Sequence, residues 1–390
     1  MKQLMHILCR ERPVGTDGNA TVTDYFEEQF NMMKFDLQSL PFTCTVWDSA
    51  ASQMNIEDKS FIITPSPFSE GFTGVGRLVL ANTLPDLRQA DCAGAILLLY
   101  GNLTQSPLQP KDYPFYFPDE HRELISVLEQ KSPKAIVALT GRHPLCGLEP
   151  FPLFEDGNFK IPSAYLGLSF LESIKESDGA HVKLSIISSK TLRNSRQLVA
   201  TKIGKQKSRK IVLCAHMDSK YHTPGALDNA AGAAVLMEAA KRLLPANYSI
   251  DIVPFNGEEY FGASGELAYL QHLKEKGDTV DLLINIDSPC HIGALNSVSF
   301  YNFGEQDKEL AVKLFEQHPV ITEGEPWYAG DHCAFAFTGT PCIAVTSADL
   351  FEGGLLNTHT LNDTLDCVDM NLIEPTAEYI AALVHAFDKR

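Results

Sequence analysis

Residues 210–229 read KIVLCAHMDSKYHTPGALDN. An apolar, β-rich run ends abruptly on His216, Met217 and Asp218, and a helix-like pattern, NAAGAAVLMEAAKRLL (229–244), begins just after Asp228. The same alternation extends to both sides. QLVATKIG (197–204) comes before it, and IDIVPFN (250–256), ASGELAYLQHLKEK (263–276), DLLINID (281–287) and CIAVTS (342–347) come after. Strand, helix, strand, helix predicts an α/β fold with a mostly parallel central sheet flanked by helices. The basic run KQKSRK (205–210) reads as a solvated hairpin turn. Leu372, Ile373, Tyr379, Ile380, Leu383 and Val384 form the stripe of a last helix over 370–388.

Upstream the texture changes. Twelve of the 22 prolines fall between Pro65 and Pro162, where short strands (FIIT, RLVLA, AILLLY, AIVAL) are separated by Pro- and Gly-rich loops. Residues 19–34 read as a helix, and PFTCTVW (41–47) as a strand able to join the C-terminal sheet. The expected organisation is therefore a discontinuous domain, 1–48 with 191–390, carrying an inserted β-rich module at 49–190.

Composition removes several classes of function. Lys plus Arg total 32 against 49 Asp plus Glu, a net charge of −17 that repels phosphate backbones and anionic lipid, so nucleic acid and membrane partners are not expected. Apolar runs such as GAILLLY (94–100) fall far short of the roughly 20 residues that span a bilayer. The start, MKQLMHILCRERP, lacks a long apolar region and a small-residue cleavage site, so no signal peptide is read. Nine cysteines without a CxxC pair fit reduced thiols, and the expected location is cytoplasmic.

The chemistry-bearing residues follow the predicted strands. His216 and Asp218 follow KIVLCA, Asp228 lies twelve residues beyond His216, Glu258 and Glu259 follow IDIVPFN, Asp287 follows DLLINI, and NTHTLNDT (357–364) carries His359. In open α/β sheets the carboxyl ends of neighbouring strands meet at one crevice, which brings these positions together. Buried carboxylates in such number raise one another's pKa unless cations compensate them. Imidazole with carboxylate suits zinc, and two metals about 3.5–4 Å apart sharing one carboxylate would use about five such residues.

The series AHMDSK, GALDNAAGAAVLMEAA, NGEEYFGASG, INID, GDHCAF and NTHTLNDT resembles the M28 family of zinc aminopeptidases over about 195–390 plus the N-terminal helix. The resemblance implies a zinc-exopeptidase (phosphorylase/hydrolase-like) fold and two zinc ions, with cobalt or manganese as possible substitutes. Carried over by position, His216 and Asp287 hold one ion, Glu259 and His359 the other, and Asp228 bridges both. Glu258 is the general base that activates a metal-bound hydroxide, Asp218 orients a histidine ligand, and the Asp228-Asn229 peptide bond is cis. The substrate implied is a peptide with a free N-terminus, whose ammonium suits a carboxylate-rich site. Asp331, His332 and Tyr328 are candidate substrate-binding residues. Where several relatives have a tyrosine before the last histidine ligand, this chain has Thr358, which leaves Tyr221, Tyr260 and Tyr328 as oxyanion candidates. The inserted module resembles the protease-associated (PA) domain through its position, its β-rich composition and the run FKIPSAYLG (159–167).

Two rival enzyme readings come from the same neighbourhood. Glutaminyl cyclase shares an HYDSK-like segment but uses a single zinc as an acyltransferase, and the complete five-ligand set favours hydrolysis. A carboxypeptidase needs cations to clamp a substrate carboxylate, yet after residue 211 the only arginines are Arg242 and Arg390. A degenerate, non-enzymatic scaffold would have lost ligands, and this sequence retains them all.

Overall fold

A computed structural model describes residues 1–244 and 247–389, so Arg390 lies outside it. The chain divides into two compact units, Met1–Cys44 with Asn194–Arg390, and Thr45–Arg193. Both crossings fall inside strands, Asp36–Ser49 and Ser188–Lys202, a few residues from the boundaries expected at 48/49 and 190/191.

The first unit is built on an eight-stranded mixed sheet. Tyr248–Phe255, Gln206–His216, Thr279–Ile286 and Cys342–Ser347 lie side by side and parallel. Antiparallel strands flank them, Ser188–Lys202 on one side and Asn296–Tyr301 on the other. Asp36–Ser49 joins the Ser188–Lys202 edge, and Ile321–Glu323 closes the far edge. The central stretch Ile211–Ala215 of the parallel strand Gln206–His216 is continuously apolar because both faces of the sheet are covered there. Ile211, Leu213 and Ala215 pack in one core with residues of helices Lys2–Leu8, Asp17–Met32, Gly232–Arg242 and Ile373–Asp388. Val212 and Cys214 point the other way, into a core shared with Tyr269 and Leu273 of helix Ser264–Lys276.

Strand order corrects one expectation. The run 205–210 is not a hairpin turn: Gln206–His216 already begins at Gln206, and it pairs with Tyr248–Phe255 and Thr279–Ile286, leaving Ser188–Lys202 one strand further away. From Gln206–His216 the chain visits Tyr248–Phe255 on one side and then Thr279–Ile286 on the other. That reversal is a topological switch point, where the loops leaving two neighbouring strands diverge and open a crevice. His216 is the strand's last residue and stands at that crevice.

The second unit is a closed seven-stranded barrel. Met54, Ile63, Leu98, Val137 and Leu184 belong to one of its cores. Leu97, Leu99, Ile136 and Ala138 alternate to the opposite face, where Leu87, Leu124 and Leu128 of two helices cover them.

Candidate metal centre

Level strand ends start the ligand loops side by side. His216 pairs in register with Phe255, and the Met217 amide donates to the Phe255 carbonyl at 2.7 Å. The chain therefore leaves both strands together, toward Asp218 in one loop and Glu258 and Glu259 in the other. Asp218, fully buried, accepts from the amides of Gly257 and Glu259, each at 3.2 Å, and so ties the two loops together. Asp228 sits in an irregular turn over Ala226–Ala231, before helix Gly232–Arg242. The Asp228-Asn229 peptide bond is cis. The Asn229 side chain anchors this turn, donating to the Ile286 carbonyl at 2.8 Å and accepting from the Gly232 and Ser288 amides at 3.0 and 3.1 Å. Asp363 accepts from the Leu227 and Asp228 amides at 2.7 and 3.1 Å.

Two groups of converging donor atoms result, His216 with Asp228 and Asp287, and Asp228 with Glu259 and His359. His216 Nε2 lies 3.1 Å from Asp228 Oδ1 and 3.6 Å from Asp287 Oδ1. His359 Nε2 lies 3.0 Å from Asp228 Oδ2 and 2.9 Å from Glu259 Oε1. Around a tetrahedral zinc with bonds of about 2.0–2.1 Å, neighbouring donors stand about 3.3 Å apart, so both groups have the spacing of a ligand shell. Asp228 presents one oxygen to each. Glu259 Oε1 is buried, 2.9 Å from His359 Nε2. This donor set fits zinc.

The charges agree. Burial disfavours a protonated His216, but Asp218, Asp228 and Asp287 outweigh it and raise its pKa well above the ordinary value. Burial works against ionised Asp228 too, yet His216 and His359 hold its pKa below the usual range. Glu259 is brought down to about 2 against its own burial, mainly by His359 and by Lys220, whose Nζ is 3.3 Å from Oε2. Glu258 belongs to neither ligand group, and burial reinforced by Glu259, Asp287 and Asp228 pushes its pKa well up despite the opposing pull of His216.

The expected substrate-binding residues occupy different settings. Asp331 is buried, with both carboxylate oxygens lacking a hydrogen-bond partner, and burial together with Glu266 and Glu258 raises its pKa. His332 is buried between the rings of Tyr301 and Trp327, and its two nitrogens contact Asn285 Nδ2 at 3.3 Å and the Trp327 carbonyl at 3.0 Å. Tyr328 is exposed and stacks on Phe337. The Thr358 hydroxyl donates to the Leu355 carbonyl.

Sequence reasoning missed Arg12, Lys220, Glu266 and Asp363. Asp363 had a usable signal, its place in the NTHTLNDT run beside His359, whereas Glu266 reads as an ordinary residue in the first turn of a helix.

The fold and site together define an α/β protein in which two groups of histidine and carboxylate donors share Asp228. Residues 197–384 match the model of peptidase family M28. Aminopeptidase YwaD from Bacillus subtilis (strain 168) is 24% identical over 286 residues, covering 67% of this chain and 59% of the relative. The alignment thus spans less than two thirds of that relative's length. Among solved structures, an aminopeptidase from Aneurinibacillus sp. strain AM-1 has a TM-score of 0.76 at 18% identity, covering 98% of this chain and 92% of the other. BSAP, a zinc aminopeptidase from Bacillus subtilis, has a TM-score of 0.73 at 18% identity, with 100% and 95% covered. These likenesses describe the fold. Among the described residues no helix is long and apolar enough to cross a membrane.

Proposed function

We propose that the chain is a two-zinc exopeptidase that removes N-terminal residues from peptides. The observation that carries this reading is the pair of donor groups sharing Asp228, with a half-buried glutamate, Glu258, beside them that belongs to neither. His216, Asp228 and Asp287 would hold one ion, and Asp228, Glu259 and His359 the other. Bound zinc supplies Lewis acidity, which acidifies water toward neutrality and polarises a carbonyl oxygen.

The rest falls to the protein. Glu258 takes a proton from the attacking water on its carboxylate and delivers it to the departing amine nitrogen. Asp218 keeps the loops of His216 and Glu259 in register through its two backbone contacts. Cobalt or manganese would be accepted by the same nitrogen and oxygen donors. We read the barrel unit as a PA-like module.

The test is mass spectrometry of a peptide panel incubated with zinc-loaded protein, with each peptide supplied free and N-acetylated and with N-terminal glutamine included. Stepwise loss of N-terminal residues from the free peptides alone is expected. Ammonia loss from the glutamine peptides alone would instead establish a cyclase, and C-terminal trimming a carboxypeptidase.

A further inference from the structure

We propose that Arg12 is a positioning residue for the metal centre, a buried cation that clamps the loop joining His216 to Asp228. The inference rests on the two-metal reading of the site. Arg12 is 1% exposed. A buried guanidinium ordinarily meets a carboxylate in a bidentate pair, but this one spends its side-chain hydrogen bonds on main-chain carbonyls. Nε donates to Met217 at 2.7 Å, Nη1 to Arg10 at 3.0 Å and Pro224 at 2.9 Å, and Nη2 to Gly225 at 2.9 Å. Its own amide donates to Ser219 Oγ at 3.1 Å.

The placement of those acceptors gives the contacts their meaning. Met217 lies between His216 and Asp218, while Pro224 and Gly225 lie just before Asp228. One planar fork therefore grips both ends of the loop between two proposed ligands. Gly225 adopts φ +59°, and a Cβ there would come within 2.6 Å of the Asp228 carbonyl and 3.0 Å of Arg12 Nη1, so the loop has no slack. The same segment reaches a third ligand loop. The Arg12 carbonyl accepts from Asn19 Nδ2 at 3.3 Å, and Asn19 Nδ2 also meets Asn256 Oδ1 at 2.7 Å, next to Gly257, Glu258 and Glu259. With its hydrogen bonds spent on carbonyls, the Arg12 charge acts on Asp218, Asp363 and Asp228 at longer range. It thereby offsets part of the repulsion that the acidic site must tolerate before an ion arrives.

Arg12→Lys keeps the charge but not the fork, since an ammonium is a point donor that cannot span carbonyls on both ends of a loop. Arg12→Met removes both. Each is stripped of metal and compared with wild type and with Val22→Ala, a cavity in the core on helix Asp17–Met32 that serves as the control for simple destabilisation. Three quantities are read: zinc affinity by chelator competition, the visible spectrum of the cobalt-loaded protein, and thermal unfolding of the metal-free form. Both Arg12 variants are expected to lose about 10–100-fold in affinity at one or both sites, as for other groups that hold metal ligands in place, and to show an altered cobalt spectrum. Val22→Ala should lower stability alone. Arg12 variants that match Val22→Ala in affinity and spectrum would overturn the proposal, as would failure of both to fold with excess zinc, which would make Arg12 a folding residue. Wild type that binds fewer than two ions would instead defeat the two-metal reading.

Discussion

Asp218→Asn is the sharpest perturbation of the site that leaves its shape intact. Asp218 is fully buried and uses one oxygen for the Gly257 amide and the other for the Glu259 amide, each at 3.2 Å, while Oδ1 also lies 3.7 Å from His216 Nδ1. Asparagine has the same outline but one acceptor oxygen. Whichever way the amide turns, one backbone N–H must face an NH₂ group and lose its partner. An orphaned buried donor costs about 1–3 kcal/mol, and in a unit of roughly 150–250 residues each kcal/mol lowers the melting temperature by about 2–4 °C. A second effect falls on the metal. Without a carboxylate behind it, His216 is a poorer ligand and Glu259 is less well aimed, so zinc affinity should drop by about 10–100-fold. Melting of the metal-free protein isolates the first effect, and chelator competition at fixed temperature isolates the second. If the metal-free variant melts with the wild type, within about 0.5 kcal/mol, and binds zinc equally well, Asp218 neither ties the loops together nor supports the ligands.

Other measurements address neighbouring groups. Glu258→Gln should cut kcat for peptide hydrolysis by about 10²–10⁴-fold while zinc content stays at the wild-type level, because Glu258 lies in neither donor group; zinc loss in this variant would contradict that assignment. Burial, reinforced by the charge of Asp218, raises Glu266 to about 7 from an ordinary 4.5. The folded carboxyl thus binds its proton more tightly than the unfolded one, and the metal-free protein should lose stability as pH rises through the window from about 4.5 to about 7. Urea midpoints across that window should fall in wild type and stay flatter in Glu266→Gln; parallel curves would refute the assignment. Of nine free cysteines only Cys9 escapes full burial. A thiol reagent should therefore modify one site in the native protein, faster as pH rises because burial lifts the Cys9 pKa, and rapid native labelling at several sites would contradict the packing.

Residues that act through the chain's local direction were legible in the sequence. His216, Asp218, Glu258, Glu259 and Asp287 lie at or just beyond the ends of apolar strands, and a parallel arrangement brings such ends to one edge without further information. The irregular turn at Asp228 was readable for a related reason, as a break between a strand and an alanine-rich helix. The basic run 205–210 failed the same test. Two strands close in sequence suggest a hairpin, but strand order depends on which edges are free when the sheet assembles, and in this sheet Tyr248–Phe255 lies between them. Local charge could not reveal that.

Arg12 illustrates the deeper limit. Its carbonyl partners Met217, Pro224 and Gly225 lie about 200 residues away in sequence and contribute main-chain oxygen atoms, which every residue possesses and no side-chain pattern advertises. A long-range contact between side chains at least leaves two unusual residues for a reader to pair. One between a side chain and distant backbone leaves only one, and an arginine near a chain start reads as a solvated charge until the fold places it. Ligand sets at strand ends can therefore be assembled from motifs, while the groups that hold those ligands still are found only by asking where each buried carbonyl and each buried charge finds its partner. At this centre that question leads to Asp218, Asp363, Asn229 and Arg12. Three of these lie within five residues of a proposed ligand, and Arg12 lies far from all of them. If the clamp is real, the N-terminal segment is as much part of the metal centre as the strand ends, and metal affinity should respond to changes there that no motif would mark.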